Sequence, residues 1–267
     1  MERDIRQGLK REEFFLVYQP LVNTATQRVD GFEALIRWQH PERGLVRPDD
    51  FIPIAEESGL IKPLGRWIIE SAIHQLAQWH TQGFSHLRLA INVSGKQFQS
   101  ANFAAAVEST IHAAQIDAHK LELEITESVM MDDVKLAAVT LKLLKAIGVT
   151  VAIDDFGTGF SSMAYLKRFP IDRLKIDRSF VTQIVDSNED QAIVNATLSL
   201  AKNLNLNVIT EGVETQAQLD FLIEAGCHEF QGYLFSKPLM VEQARGYLNT
   251  DPFANGGQGN PTNSRTA

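Results

Sequence analysis

This 267-residue chain has a single cysteine, Cys227, which excludes an intrachain disulfide framework and any cysteine-rich zinc site. No apolar run approaches the ~20 residues of a membrane span, and the densely charged N-terminus does not resemble a signal peptide. A basic excess is also missing. The net charge is −8, so there is no footprint for gripping a nucleic-acid duplex by its phosphates. The seven histidines form no His-x-His or His-Glu-x-x-His pattern, which argues against a zinc hydrolase. What is left is an ordinary globular composition, 44% hydrophobic and 22% charged, in a chain long enough to bury a sizeable core. The expected setting is the cytoplasm, with Cys227, beside Gly226 in an apolar context, as core filler.

Strand-like runs occupy 15–21, 29–38, 87–93, 121–126, 149–154, 173–176, 207–210 and 229–234, with helical patterns between most of them. Val134, Ala137, Ala138, Leu141 and Leu144 recur at helical spacing before a capping Gly148, and Ile193, Ala196, Leu200, Ala201 and Leu204 repeat the pattern. Thr215 with Gln218 reads as a capping box opening a helix that Gly226 ends. Ile5 and Leu9 suit a short N-terminal helix packed on the barrel. Eight strands of this kind predict an α/β fold, a TIM-like (β/α)8 barrel, with an open doubly wound sheet as the alternative. Residues 22–28 are too few for a parallel crossover, which needs about a dozen, so the first strand is expected to be antiparallel. One domain over 1–250 and a disordered tail over 251–267, rich in Gly, Asn, Pro, Ser and Thr, complete the expected organisation.

Within 31–38, alternation puts Glu33 and Arg37 on one face of an otherwise apolar strand. A buried carboxylate needs partners, and the ends of other strands supply polar groups: Gln19, Asn92, Glu124 with Glu127, Asp154 with Asp155, Lys175, Glu211 with Glu214, and Gln231. In a barrel such strand ends converge on one face, where chemistry gathers. Glu33, Asn92, Glu124, Asp154, Asp155 and Glu211 are all oxygen donors, the set that suits Mg²⁺ or Mn²⁺. Five carboxylates exceed what one Mg²⁺ uses, and fit a two-metal site acting on a phosphodiester. Adjacent Asp154 and Asp155 reach one cluster only if the strand ends there, with Gly157 and Gly159 freeing the loop that follows. Glu122 and Glu124 share a strand face, so parity alone leaves both open as ligands.

The ordered segments Tyr18-Gln19-Pro20, Glu33-Ala34-Leu35-Ile36-Arg37-Trp38, Asn92-Val93-Ser94, Glu124-Ile125-Thr126-Glu127, Asp154-Asp155-Phe156-Gly157-Thr158-Gly159, Leu174-Lys175-Ile176-Asp177, Glu211-Gly212-Val213-Glu214 and Gln231-Gly232-Tyr233-Leu234-Phe235 resemble the EAL-domain family. These are the bacterial cyclic di-GMP-specific phosphodiesterases, and the likeness runs over about residues 5–249. The resemblance implies a barrel with one antiparallel strand and hydrolysis of one phosphodiester bond of cyclic di-GMP to linear pGpG. It implies two Mg²⁺ or Mn²⁺ ions, one held by Glu33, Asn92, Glu124 and Asp154, the other by Asp154, Asp155 and Glu211. It makes Glu124, not Glu122, the ligand.

By the same resemblance Lys175, Glu211 and Glu33 act in catalysis. Gln19, Leu35, Arg37 and Gln231 contact substrate, and Glu127 and Glu214 anchor loops. Arg37, which its shared face alone would suit to an ion pair with Glu33, is thereby reassigned to a phosphate contact. Phe160 stands where a Tyr is common in the family, and Met240 where a second Pro is frequent. Ca²⁺ is expected to inhibit, because its larger and looser coordination misplaces the nucleophile. The family also implies a homodimer and, often, an upstream sensor or cyclase domain. A non-hydrolysing cyclic di-GMP receptor is the competing function, and a phosphodiesterase for linear dinucleotides a third.

Overall fold

The computed structural model describes residues 1–158, 166–250 and 252–253. Nine strands are described: β1 (Phe14–Asn23), β2 (Arg28–His40), β3 (Gly44–Val46), β4 (Arg88–Asn92), β5 (Leu121–Thr126), β6 (Thr150–Phe156), β7 (Arg173–Ile176), β8 (Asn207–Thr210) and β9 (Glu229–Phe230). They run in the order β1-β9-β8-β7-β6-β5-β4-β2-β3, and a further β1–β2 pairing closes eight of them into a barrel. β3 only extends β2 as a hairpin. β1 is antiparallel to both β2 and β9, and every other neighbouring pair in the ring is parallel. The short 22–28 connection has the expected consequence.

Helices wrap the outside: α1 (Glu2–Lys10), α2 (Pro48–Glu57), α3 (Ile61–Thr81), α4 (Gly95–Phe98), α5 (Phe103–Ala114), α6 (Glu127–Asp132), α7 (Val134–Ile147), α8 (Asn188–Leu204), α9 (Gln216–Glu224) and α10 (Val241–Tyr247). Their apolar faces and the outward faces of the strands form one continuous core, with Trp38, Phe51, Leu76 and Trp79 at most 1% exposed. α7 ends at Gly148 with φ +98°, and α9 opens on the reciprocal Thr215–Gln218 box. Cys227 is buried in the core, where burial pushes its thiol up to about 11.

α8 forms over the expected stripe, with Ala201 buried and Leu200 and Leu204 packed partly against the core, although Ile193 is 38% exposed and Val194 and Thr197 complete the buried face. One expectation needs correction. The last strand stops at Phe230 rather than running to 234, because the chain turns at Gly232 to meet Val213. Of the expected tail, Pro252 and Phe253 are described, and Phe253 lies edge-on to Phe235 at 5.7 Å. The rest of 251–267 lies outside the described residues, as do Gly159 and Phe160.

The interior of the barrel is a second, separate core built in layers. Leu21, Ala90 and Ile209 form a small apolar cluster detached from the outer one. Beneath it, near the N-terminal ends of the parallel strands, sits an ion layer. Arg173 Nε is 2.6 Å from Glu122 Oε2, and Arg173 and Arg88 each place a guanidinium nitrogen 2.5 Å from Glu229 Oε2. Gly31 pairs with Arg88 across β2 and β4, and a Cβ there would stand 2.5 Å from the Arg88 carbonyl oxygen, so only glycine leaves room. The parity that Glu122 shares with Glu124 is resolved by depth. Glu122 belongs to this lower layer, fully buried and paired with arginine.

Removing Arg173 from this layer leaves two buried carboxylates to share Arg88 alone, which stays 2.5 Å from Glu229 but 3.9 Å from Glu122. Arg173→Ala is expected to lower the unfolding free energy by about 3–5 kcal/mol, the cost of breaking a buried ion pair by deleting one partner. Urea denaturation of the two proteins measures it. A loss below about 1 kcal/mol would mean that water takes over the role of the arginine.

Candidate functional site

Above the apolar layer the same strands deliver a second charged layer, of different character. Two residues beyond Arg173 on β7 is Lys175, fully buried. Its Nζ is 2.6 Å from Glu211 Oε1, 2.7 Å from Glu124 Oε2, 3.3 Å from Asp154 Oδ1 and 4.0 Å from Glu33 Oε1. Four carboxylates thus surround one ammonium. Nothing else described in the cluster is cationic, and both Glu124 oxygens and Lys175 Nζ are buried without an aligned hydrogen bond.

The consequences are electrostatic. Burial alone would discharge Lys175, but Asp154, Glu124, Glu211 and Glu33 raise its pKa well above the usual lysine value, and it stays protonated. One ammonium cannot satisfy four acids. Burial pushes the Glu211 carboxyl up to about 8 despite Lys175, with Asp154 and Glu33 adding to the rise, and burial likewise raises Glu124. Glu33 escapes. Burial pushes it up, yet Lys175 and hydrogen bonds from Gln231 and Asn92 outweigh that and hold it below the usual range. Asn92 Nδ2 donates to Glu33 Oε1 at 2.5 Å, and Gln231 Nε2 donates to Glu33 Oε2 at 2.6 Å.

Gln231 Nε2 also donates to Gln19 Oε1 at 3.0 Å, and Gln19 Nε2 donates to the Ser236 carbonyl at 3.3 Å. Gln19 faces Glu33 directly across the antiparallel β1–β2 pair. Gln231 is fixed by backbone as well as side chain. Its N–H donates to Thr210 O, and its carbonyl accepts from Val213 N. A Cβ on Gly232 would lie 2.0 Å from Val213 O, so this approach of two loops requires glycine.

Asp154 and Asp155 reach the top of the barrel differently from the expectation. β6 does not end at Asp154. It runs on to Phe156 with a register shift against β7, and Asp155 takes φ +53°. A bulge solves the parity problem that a strand end would have solved. Asp155 sits on the rim, where the partial desolvation of its carboxyl, together with Asp154 and Asp177, raises its pKa. Leu35 and Arg37 occupy the same rim half-buried, and Arg37 Nη1 donates to the Ile36 carbonyl at 2.8 Å. Glu33 therefore takes its partners from other strands.

Glu127 is buried at the start of α6 with Oε2 lacking a hydrogen bond among the described residues; the loop it was expected to anchor is partly outside them. Glu214 is exposed ahead of α9 and stands apart from the Lys175 cluster. The structure so brings together Gln19, Glu33, Asn92, Glu124, Asp154, Lys175, Glu211 and Gln231. The part played by the Ser236 carbonyl has no side-chain signal in the sequence, and that of Asp177 beside Asp155 depends on the bulge.

The cluster fits divalent cations. Its donors are oxygen, its charge is short of positive partners, and Glu124 presents two oxygens without an aligned hydrogen bond in a fully buried place, one of them ion-paired with Lys175. Among the described residues no three such side chains already surround an ion position, for Lys175 Nζ stands at their centre.

The family model for the EAL domain matches residues 2–238, and the chain belongs to that family. It is 42% identical over 240 residues to MucR of Pseudomonas aeruginosa, named a bifunctional diguanylate cyclase/cyclic di-GMP phosphodiesterase, covering 90% of this chain and 35% of MucR. It is 41% identical over 253 residues to the cyclic di-GMP phosphodiesterase NbdA of the same organism, covering 95% of this chain and 32% of NbdA. The chain thus spans about a third of these relatives. A solved structure of the PaMucR phosphodiesterase in complex with c-di-GMP superposes with a TM-score of 0.88 at 42% identity, covering 91% of this chain and 98% of that one.

The uncompensated charge makes stability depend on pH in a defined direction. Glu211 binds its proton more tightly folded, at about 8, than unfolded, near 4.5. A raised carboxyl pKa favours the folded state at low pH and costs stability as pH rises between those values. Without divalent metal, Tm is expected to fall from pH 5 to pH 8, and Glu211→Gln to flatten the fall. Mg²⁺ or Mn²⁺ should raise Tm more at pH 8 than at pH 5. A pH-independent Tm in calorimetry, with or without metal, would refute this account.

Proposed function

We propose that this chain hydrolyses one phosphodiester bond of cyclic di-GMP to pGpG with two divalent metal ions, and so lowers this second messenger in bacterial signalling. The observation that carries the reading is the convergence of Glu33, Glu124, Asp154 and Glu211 on Lys175, in a chain of the EAL family. Glu33, Asn92, Glu124 and Asp154 would hold one ion, and Asp154, Asp155 and Glu211 the other. Two Mg²⁺ or Mn²⁺ ions, when bound, supply Lewis-acid polarisation of the phosphate and a potent water-derived nucleophile.

The remaining work falls to the chain's own side chains. Glu33 enters the reaction in one orientation because Asn92 and Gln231 hold its two oxygens separately. Lys175 carries a permanent charge in a water-poor place and stabilises negative charge building on the phosphate. Gln19 and Gln231 line the path to Glu33, and Arg37 on the rim suits a phosphate oxygen, with Leu35 giving an apolar contact beside it. Glu127 and Glu214 are assigned to anchoring the loops that follow β6 and β8. A homodimer, a linked upstream sensor or cyclase domain, and a cytoplasmic location belong to the same proposal. Among the described residues no helix is long and apolar enough to cross a membrane.

Incubation with cyclic di-GMP and Mg²⁺ or Mn²⁺, followed by chromatography, is expected to yield pGpG. Glu33→Ala should reduce the rate by at least about a hundredfold, as for loss of a metal-holding group. Tight binding of cyclic di-GMP without pGpG would replace the enzyme by a receptor.

Replacing Mg²⁺ with Ca²⁺ should preserve binding and abolish turnover, since Ca²⁺ takes six to eight ligands at longer distances. Turnover with Ca²⁺ as the sole divalent ion would contradict the two-ion geometry.

A further inference from the structure

The substrate-side glutamines are held in part by a helix that follows residue 238. The family match ends at residue 238, and α10 follows it. Tyr247, in the last turn of α10, donates its hydroxyl to the Phe235 carbonyl at 3.1 Å. The ring of Phe235 lies between Phe230, 6.5 Å away at the end of β9, and Phe253, 5.7 Å away. The next residue, Ser236, offers the carbonyl that receives the Gln19 amide. A continuous chain of contacts therefore runs from Tyr247 through Phe235 and Ser236 to Gln19, then to Gln231 and the Glu33 carboxylate.

We infer that Tyr247 is a positioning residue for the substrate-facing glutamines, acting through the segment 232–239. That segment has a few other ties. Phe235 and Ser236 donate their N–H groups to the Gly232 carbonyl, and Leu239 exchanges two backbone hydrogen bonds with Tyr18. Between those ends Ser236 is half-buried and carries Gln19, and the Tyr247 hydroxyl is the tie on the carbonyl of its preceding residue. Releasing it leaves Ser236 held only by its N–H bond to Gly232 and by the ends of the segment, and loosens the acceptor of Gln19. Gln19 would then be wrongly placed when the ligand arrives, whereas Lys175 and the carboxylates, which sit on strands or, for Glu211, directly after one, would not move. The effect is thus one on substrate capture, not on the chemical step.

The inference rests on the proposed phosphodiesterase reading for its kinetic arm and is independent of it for its structural arm. Tyr247→Phe removes only the hydroxyl. Hydrogen exchange by mass spectrometry should show faster exchange confined to peptides spanning 232–239, with β7 and β8 unchanged. In the hydrolysis assay KM for cyclic di-GMP should rise about fivefold, the size of one neutral hydrogen bond, with kcat within about twofold. Gln19→Ala should raise KM too, and adding Tyr247→Phe to it should change little more, because both act on one contact. Unchanged exchange in 232–239 overturns the inference, as does a KM that stays put or fully additive losses in the double variant. Should the wild-type chain yield no pGpG, the phosphodiesterase reading fails on its own. The dissociation constant of cyclic di-GMP then replaces KM, and the exchange experiment decides about Tyr247 regardless.

Discussion

A single ammonium shared among four buried carboxylates is the interaction on which the rest of this structure turns. Lys175 cannot lose its proton there, and the acids cannot all lose theirs. Such a cluster is costly in a folded protein, because buried charge is tolerated only when paired. It persists here because the groups sit on separate strands of a closed barrel, so none can withdraw without breaking a ladder of backbone hydrogen bonds. The cost is therefore carried in the site, as acids whose charge Lys175 alone cannot balance.

The barrel interior shows how that cost is contained. Two charged layers are separated by Leu21, Ala90 and Ile209. In the lower layer two arginines meet two glutamates, and the charges balance. In the upper layer they do not. The two are tied by sequence: Arg173 and Lys175 share β7, Glu122 and Glu124 share β5, Glu229 precedes Gln231 at β9, and Arg88 precedes Asn92 on β4. A slip of one residue in any of these strands would turn both of its polar side chains into the apolar outer core. The balanced lower layer thus fixes the register in which the unbalanced upper layer is presented.

Much of this was legible in the sequence, and the failures are informative. The strands were readable because their apolar runs are strongly bounded, and the antiparallel first strand followed from a connection too short for any crossover. Six oxygen donors at strand ends were readable as a set. Depth was not, since Glu122 and Glu124 have identical parity and differ only in whether arginine or lysine lies opposite, which is a property of neighbouring strands. The bulge at Asp155 was hidden for a related reason. Aspartate tolerates positive φ better than most residues, but nothing local demands it there. On α8, Leu200, Ala201 and Leu204 pack as their spacing implied, while Ile193 lies exposed at the edge of that face. The Ser236 carbonyl and the Tyr247 hydroxyl act through main chain and through a helix beyond the family's motifs, where no side-chain pattern points to the site.

The reversed first strand finally explains why the substrate side of this barrel is open to such outside control. Because β1 runs downward, the start of the strand, not its end, lies beside the site, and Gln19 meets Glu33 in direct register. The N–H of Tyr18 points away from β2 and reaches Leu239. Pro20, two residues on, faces the same gap and has no N–H to give. The β1–β9 ladder therefore covers only Val22 and Asn23, and the chain after Phe230 is released from the sheet until Leu239 rejoins it. A ladder that continued would have placed Gln231 in a regular strand and left no loop to lean on Gln19. The proline that interrupts the seam is what allows 232–239 to bend over the barrel mouth, and what leaves its position to be set by α10.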